Sequence, residues 1–166
     1  MNETGDDFIF YLGVSPRTPT IVGIKHAKCV SYIDVLKGKV NVGKRVAIVG
    51  AGGIGFDVAT KLLHSVDQSA KSVDAFLQEW GIDKTLTTRS GLLEHSIKSE
   101  PLRQIYLLQR TVGALGKGLG KTTGWIHRST LKMNNVEMIG GVTYKMVDDQ
   151  GLHIEVNLPL TLSVLL

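Results

Sequence analysis

Hydrophobic positions along this chain follow three rhythms. Val46-Ala47-Ile48-Val49 closes a short apolar run, Arg45 to Val49, bounded by glycine, which predicts a strand buried on both faces. Ile105-Tyr106-Leu107-Leu108, inside Arg103 to Gln109, predicts a second buried strand, and Val136, Met138 and Ile139 predict a third. Between the strands the period changes. Ile54, Val58, Leu62 and Leu63 recur at helical spacing to about His64, and Thr122 or Thr123 is placed to cap a helix to about Met133 with Trp125 and Ile126 inward. Strict alternation follows: Val142, Tyr144, Met146; then Leu152, Ile154, Val156; then Leu160, Leu162, Val164. Asp148 to Gly151 supplies a turn, so the last third reads as an antiparallel meander. The order βαβαβ plus meander predicts an α/β fold with a Rossmann-like parallel sheet and an antiparallel β-meander.

The remaining segments carry weaker signals. Phe8-Ile9-Phe10-Tyr11-Leu12 reads as a strand, and the Gly13–Pro19 stretch, with Pro16 and Pro19, as a turn. Residues 20–44 read as a connector in which Ser31 caps a short helix through Leu36, ended by Gly38. Residues 65–103 are too many for a simple loop. Within them Val73, Phe76, Leu77 and Trp80 share one helix face, with Gly81 suited to the position after the helix. That face is expected to pack on the domain or on a neighbour, and 82–101 reads as loop. The chain thus divides into a flanking connector, 1–40, and a nucleotide-binding domain, 41–166, with a helical insertion at about 65–103.

Composition narrows the class. With 166 residues, 43% apolar and a mean hydropathy of +0.10, the chain holds one packed domain and is not a disordered segment. No apolar run reaches the ~18 residues of a membrane span. The polar, acidic start (Asn2, Glu3, Asp6, Asp7) carries no secretory signal, and the single Cys29 fits a reducing compartment, so a cytoplasmic location is expected. One cysteine cannot supply a four-thiolate metal site. His26, His64, His95, His127 and His153 show no metal-ligand spacing, so no metal site is expected. The net charge of +4 suits a phosphorylated ligand. Acids interleave with the bases and only 6% of residues are aromatic, so nucleic acid is not expected as a partner, nor is a membrane.

The chemistry concentrates in glycine. Gly50, Gly52 and Gly55 match the GxGxxG fingerprint, directly after the first strand and at the start of the first long helix. Gly50 turns the chain off the strand, Gly52 lets backbone approach a pyrophosphate, and Gly55 lets helix and sheet pack closely. The helix start around Gly53 and Ile54 then offers free N–H groups to phosphates. An NAD site places a carboxylate at the end of the second strand to read the ribose hydroxyls. Here that strand ends Leu108-Gln109-Arg110. A guanidinium in place of a carboxylate favours a 2′-phosphate, hence NADP(H). The spacing from Gly55 to this strand end is longer than the usual ~20 residues, which the insertion accounts for.

A second cluster, Gly113, Gly116, Gly118 and Gly120 with Lys117 and Lys121, approaches a Walker A loop over Leu115 to Thr122. It lacks the first glycine, starts several residues past the strand, and no good Walker B run follows. A basic loop beside Arg110, with Lys117, Lys121 and Arg128 reaching a phosphate, uses these residues better. A P-loop NTPase domain and a non-catalytic phosphate-binding or interaction domain remain the alternatives. No nucleophile elbow or paired-carboxylate site stands out, so no catalytic residue is assigned.

Two stretches, Val46 to Asp57 (VAIVGAGGIGFD) and Leu107 to Arg128 (LLQRTVGALGKGLGKTTGWIHR), resemble the bacterial NADPH-dependent 2,4-dienoyl-CoA reductases. Glu79-Trp80-Gly81-Ile82-Asp83 and Asp148-Asp149-Gln150-Gly151-Leu152-His153 do so too, and the likeness covers roughly 13–157. Gly13, Pro16, Arg17 and Pro19 match that family's G-x-x-PR-x-P stretch, whereas Tyr11 and Leu12 depart from its small residue and Ser/Thr. The family is a modular flavoenzyme of fatty acid β-oxidation. In it an FMN barrel, a 4Fe-4S cluster and an FAD domain interrupted by an NADPH domain pass electrons from NADPH to FAD, cluster, FMN and substrate. The resemblance implies that this chain is the NADPH domain with a remnant of the FAD domain at 1–40, a piece of a longer enzyme. It would position NADPH for hydride transfer to FAD, with the FAD domain and FMN barrel of the parent chain as partners. It would not bind FMN or the cluster, would touch FAD marginally at most, and would not be active alone.

Overall fold

The computed structural model describes residues 16–63, 72–94, 101–157 and, as backbone, 162–165. The expected strand at 8–12, Gly13, His64, His95 and Leu160 lie outside these residues. The elements follow the order α1 (Tyr32–Leu36), β1 (Arg45–Val49), α2 (Gly53–Leu63), α3 (Val73–Glu79), β2 (Gln104–Leu108), α4 (Gly124–Met133), β3 (Glu137–Ile139), β4 (Val142–Val147), β5 (Leu152–Val156) and β6 (Leu162–Leu165). β1, β2 and β3 make one parallel sheet with β2 in the middle. β4, β5 and β6 make an antiparallel sheet in chain order.

The alternation along β2 builds two cores. Ile105 and Leu107 face the helices, where they meet Phe56, Val58, Ala59, Leu62 and Leu63 of α2, Leu131 of α4 and Leu115. Tyr106 and Leu108 face the other way, onto Val142 of β4 and Leu152, Ile154 and Val156 of β5. The central strand is therefore apolar on both sides, which is why it reads as an unbroken hydrophobic run. β5 alternates, with Leu152, Ile154 and Val156 turned to this second core, whereas β4 departs from the expected alternation: a bulge between Tyr144 and Met146 leaves Met146 exposed and brings Val147 to the core instead.

Residues 20–44 join both layers. Ser31 caps α1 by accepting from the Asp34 amide, and Gly38 beyond the helix sits at φ +67. Val35 and Tyr32 pack into the helix-side core. Ahead of α1, Val22 bridges Met146, the Val147 amide donates to the Val22 carbonyl at 2.8 Å, and Ile21 is buried. His26 pairs with Asp149 at 3.1 Å, and the Lys28 ammonium donates to the Asp149 carbonyl. In the β4–β5 turn, Asp148 accepts from the Gln150 and Gly151 amides and pairs with His153 at 2.8 Å. The His153 hydrogen bond, joined by these amides, holds the Asp148 carboxyl below its ordinary pKa.

One expectation is corrected in α4. Its buried residues are Gly124 and Leu131, while Trp125 is 55% exposed and Ile126 is exposed too. Positions seven apart share a helix face, so fixing Gly124 and Leu131 inward turns Trp125 away. The expected cap is also missing: Thr123 stands at the N-cap position in a helical conformation and its hydroxyl makes no capping bond.

The α2–β2 connection holds α3 and a compact turn. Gly81 follows α3 at φ +65, as the pattern predicts, and Ser72 caps the helix start. No residue of α3 is buried, and Val73 and Phe76 are exposed. Phe76 and Trp80 instead pair with each other, ring centroids 6.2 Å apart. Residues 82–94 are more ordered than the loop expected there: Ile82 bridges Leu92, and a 3₁₀ turn spans Arg89–Gly91. The organiser is Asp83, a buried carboxylate that accepts from the amides and hydroxyls of Thr85, Thr87 and Thr88 at 2.6–3.1 Å. These bonds, the Thr85 hydroxyl foremost, hold its carboxyl well below the usual carboxylate range. A depressed pKa stabilises the fold above the unfolded value of ~3.9, and the contribution is lost as pH falls through the folded value. Asp83→Asn is therefore expected to lower Tm at pH 7, with the gap to wild type narrowing steadily as pH falls below about 4. Thermal melts from pH 7 to pH 2 check this; a constant gap would contradict it.

Candidate dinucleotide site

The site begins where β1 ends. Gly50 sits at φ +114, a conformation that side chains avoid, and its amide donates to the Leu108 carbonyl at 2.9 Å. The chain then enters α2. A Cβ on Gly55 would lie 2.0 Å from the Gly50 carbonyl oxygen and 3.3 Å from Leu107 Cδ1. Gly50 and Gly55 are thus required by the protein itself, one for the turn and one for the contact between helix and turn.

Gly52 and Gly53 differ. Neither adopts a left-handed φ, and a Cβ on either would meet nothing within 4 Å. Among the described residues no close contact calls for glycine at these two positions; Gly52 stands at the helix N-cap, where glycine is one of several favoured residues. The first hydrogen bond of α2 runs from the Phe56 amide to the Gly52 carbonyl, at 3.2 Å. The amides of Gly53, Ile54 and Gly55 come before it and have no carbonyl of their own helix to meet. An open, Cβ-free surface in front of a helix start is the shape a pyrophosphate fits.

Beyond β2, the backbone of Gln109 is held on both sides, its amide on the Ile139 carbonyl and its carbonyl on the Val142 amide, each at 3.0 Å. Its side-chain amide donates to the carbonyls of Thr111 at 2.9 Å and Gly113 at 3.3 Å. Arg110 follows and is exposed. Its guanidinium lies near the phenol of Tyr144 on β4. Burial pushes that phenol up to about 12, partly offset by the Arg110 charge.

The second glycine loop folds back onto the first. Gly116, at φ +75, leaves room for the Phe56 ring: a Cβ there would lie 2.9 Å from Phe56 Cζ and 2.8 Å from Leu119 Cδ1. Phe56, fully buried in the first turns of α2, therefore joins the two glycine segments. The basic residues sort into different roles. Arg128 donates to the Gly116 carbonyl at 3.1 Å and so braces the loop. Lys117 reaches back across the loop to Gly113, its ammonium 3.2 Å from where a Gly113 Cβ would stand. Lys117, Lys121 and Arg128 line one open depression of about 350 Å³ with Leu115, Leu119 and Gly120. Arg110 is not part of its lining.

The Walker A alternative has no support in this geometry. Leu115, at the position of the first glycine, is buried in the helix-side core, and α4 starts at Gly124, beyond the Lys121-Thr122 pair. Among the described residues no cluster of His, Cys, Asp and Glu is arranged to hold a metal ion. No described helix is long and apolar enough to cross a membrane. Sequence reasoning missed Gln109 and Phe56. A glutamine where a ribose-reading carboxylate usually stands was the available signal for the first; the second lies inside an ordinary helical pattern.

No protein-family model matches the chain. A metal reductase of Desulforamulus reducens is 24% identical over 144 residues, which are 86% of this chain and 20% of the reductase. A 2-naphthoyl-CoA reductase complexed with 2-naphthoyl-CoA superposes with a TM-score of 0.60 and 17% identity, over 91% of this chain and 17% of that one. An engineered water-forming NADPH oxidase bound to NADPH gives a TM-score of 0.44 over 84% of this chain and 25% of that one, at 17% identity. The chain spans about a fifth of the length of the curated relative. Its fold is α/β and Rossmann-like, a parallel three-stranded sheet with helices on one face and an antiparallel meander on the other.

Proposed function

We propose that this chain is the NADPH-binding domain of a flavin-dependent oxidoreductase of the 2,4-dienoyl-CoA reductase type. The observation that carries the reading is the pair Gly52 and Gly53, where no close contact and no left-handed φ demands the lack of a side chain, set directly before the first amides of α2. The named likeness of the metal reductase and the naphthoyl-CoA reductase supports a reductase. The motif resemblance at Val46–Asp57 and Leu107–Arg128 supports the dienoyl-CoA class, in which FAD, FMN and a 4Fe-4S cluster are held by the rest of the enzyme.

Bound NADPH supplies a hydride to a flavin held outside this chain. The chain's own work is orientation. Gly50 to Gly55 hold the pyrophosphate by backbone, with Gly52 allowing close approach and the α2 start supplying positive charge. Arg110 takes the 2′-phosphate, and Lys117 and Lys121, which line the depression of the basic loop with Arg128, are the further cations offered to phosphate. Arg128 keeps that loop in place through Gly116.

Arg110→Ala is expected to weaken NADPH roughly ten- to a hundredfold, since a charge-assisted hydrogen bond contributes about 1.5–3 kcal/mol. NADH, which has no 2′-phosphate, changes little. Calorimetric dissociation constants for both cofactors at two salt concentrations test this, because an exposed charge is screened. Equal weakening of both would remove Arg110 from the 2′-phosphate.

A further inference from the structure

The end of β2 holds a residue whose role the NADPH reading does not assign. We infer that Gln109 is a specificity-positioning residue: its side-chain amide fixes the loop that follows Arg110 and so sets the guanidinium where a 2′-phosphate, and not a bare ribose, is read. The inference rests on the NADPH reading and goes beyond it in naming what builds the preference.

The geometry is specific. Both partners of the Gln109 side chain, the Thr111 and Gly113 carbonyls, are acceptors, so the amide nitrogen must face them. The Thr111 carbonyl also receives the Gly141 amide at 3.0 Å. Gly140 lies so close that a Cβ on it would stand 2.6 Å from the Gly113 carbonyl oxygen and 3.1 Å from that of Thr111. The loop at 111–113 is thereby pinned from two sides, by the Gln109 side chain and by the Gly140-Gly141 backbone. Arg110 stands between two held neighbours: Gln109, paired on both backbone groups, and Thr111, whose carbonyl takes two donors.

The chemistry of position 109 adds to this. A glutamate there would set a carboxylate oxygen against two carbonyl oxygens, which repel it. It would turn out and place a negative charge beside Arg110, where it repels a 2′-phosphate and accepts from a free ribose hydroxyl. Glutamine does the opposite on both counts. It spends its donors on the loop and leaves the strand end with Arg110 as its nearest charge.

The test uses the full chain and four proteins: wild type, Gln109→Met, Arg110→Ala and the double variant. Methionine keeps size and neutrality but has no donor. Dissociation constants for NADPH and NADH are measured by calorimetry, with thermal melts as a check of folding. The expected result is a fall of roughly fivefold to tenfold in the NADPH/NADH preference of Gln109→Met, the scale of one or two lost neutral hydrogen bonds. In the Arg110→Ala background the same change is expected to leave the preference unmoved, because Gln109 acts through Arg110. An unchanged preference in Gln109→Met, an equal loss for both cofactors, or a full effect in the Arg110→Ala background would each overturn the inference while NADPH binding by wild type stands. Should Gln109→Met not fold, Gln109→Ala, which is also neutral and without a donor, gives the same reading through the same fall in preference. A wild type that binds neither cofactor would overturn the NADPH reading, and the inference with it.

Discussion

Gly52→Val leaves the domain folded and abolishes dinucleotide binding. A Cβ at this position meets nothing in the protein, and the backbone is in a region open to any residue. The fold therefore loses at most the ~1 kcal/mol by which valine is a poorer helix-capping residue than glycine. The ligand loses more. A branched side chain would fill the space that a pyrophosphate must enter to reach the amides of α2. Calorimetry with NADPH and a melt of the same sample check both halves. A folded Gly52→Val with wild-type affinity would remove the glycine turn from the binding site.

Three residues further on, the same kind of change strikes the fold instead. Gly55→Ala places a methyl group 2.0 Å from the Gly50 carbonyl oxygen. The two nearest contacts, the oxygen and its carbon at 3.1 Å, are backbone, so moving the Leu107 side chain at 3.3 Å would not relieve them. Relief requires α2 to lift from the turn, and α2 carries Phe56, Val58, Ala59, Leu62 and Leu63 of the helix-side core. Overpacking of this sort costs about 3 kcal/mol or more. For a domain of this size that is a Tm lower by roughly 6–12 °C. A melt and a urea midpoint check it, and a Gly55→Ala with wild-type stability would show that the helix does not pack against the turn as described.

The contrast between these glycines shows how far sequence reasoning reaches. The fingerprint marks Gly50, Gly52 and Gly55 alike, because all three lack a side chain. Only the geometry separates glycines held by a positive φ or a backbone contact, Gly50 and Gly55, from Gly52, which has neither. The strands were readable for a simple reason. β2 carries a continuous apolar run and is covered on both faces, and β5 alternates with one face covered. β1 carries a similar run yet no residue of it is fully buried, because it pairs on one side only among the described strands, and the bulge in β4 breaks the alternation at Met146. The same reasoning misplaced Trp125, since its large side chain suggests burial while Gly124 and Leu131, seven residues apart, decide which face of α4 turns inward. It also passed over Asp83, whose six donors come from three threonines within five residues and leave no periodic trace. Arg128 is expected at a phosphate because it is basic and follows a glycine loop; that it also donates to the Gly116 carbonyl is a tertiary fact that charge alone does not give.

Backbone amide shifts followed by two-dimensional NMR during a titration with NADPH test the binding reading most directly. The expected result is saturable change centred on the amides of Gly50 to Gly55, with a second set at Arg110 to Lys117 that fades when NADH replaces NADPH. No change at the Gly50–Gly55 amides at saturating NADPH, or changes confined to other parts of the chain, would contradict it.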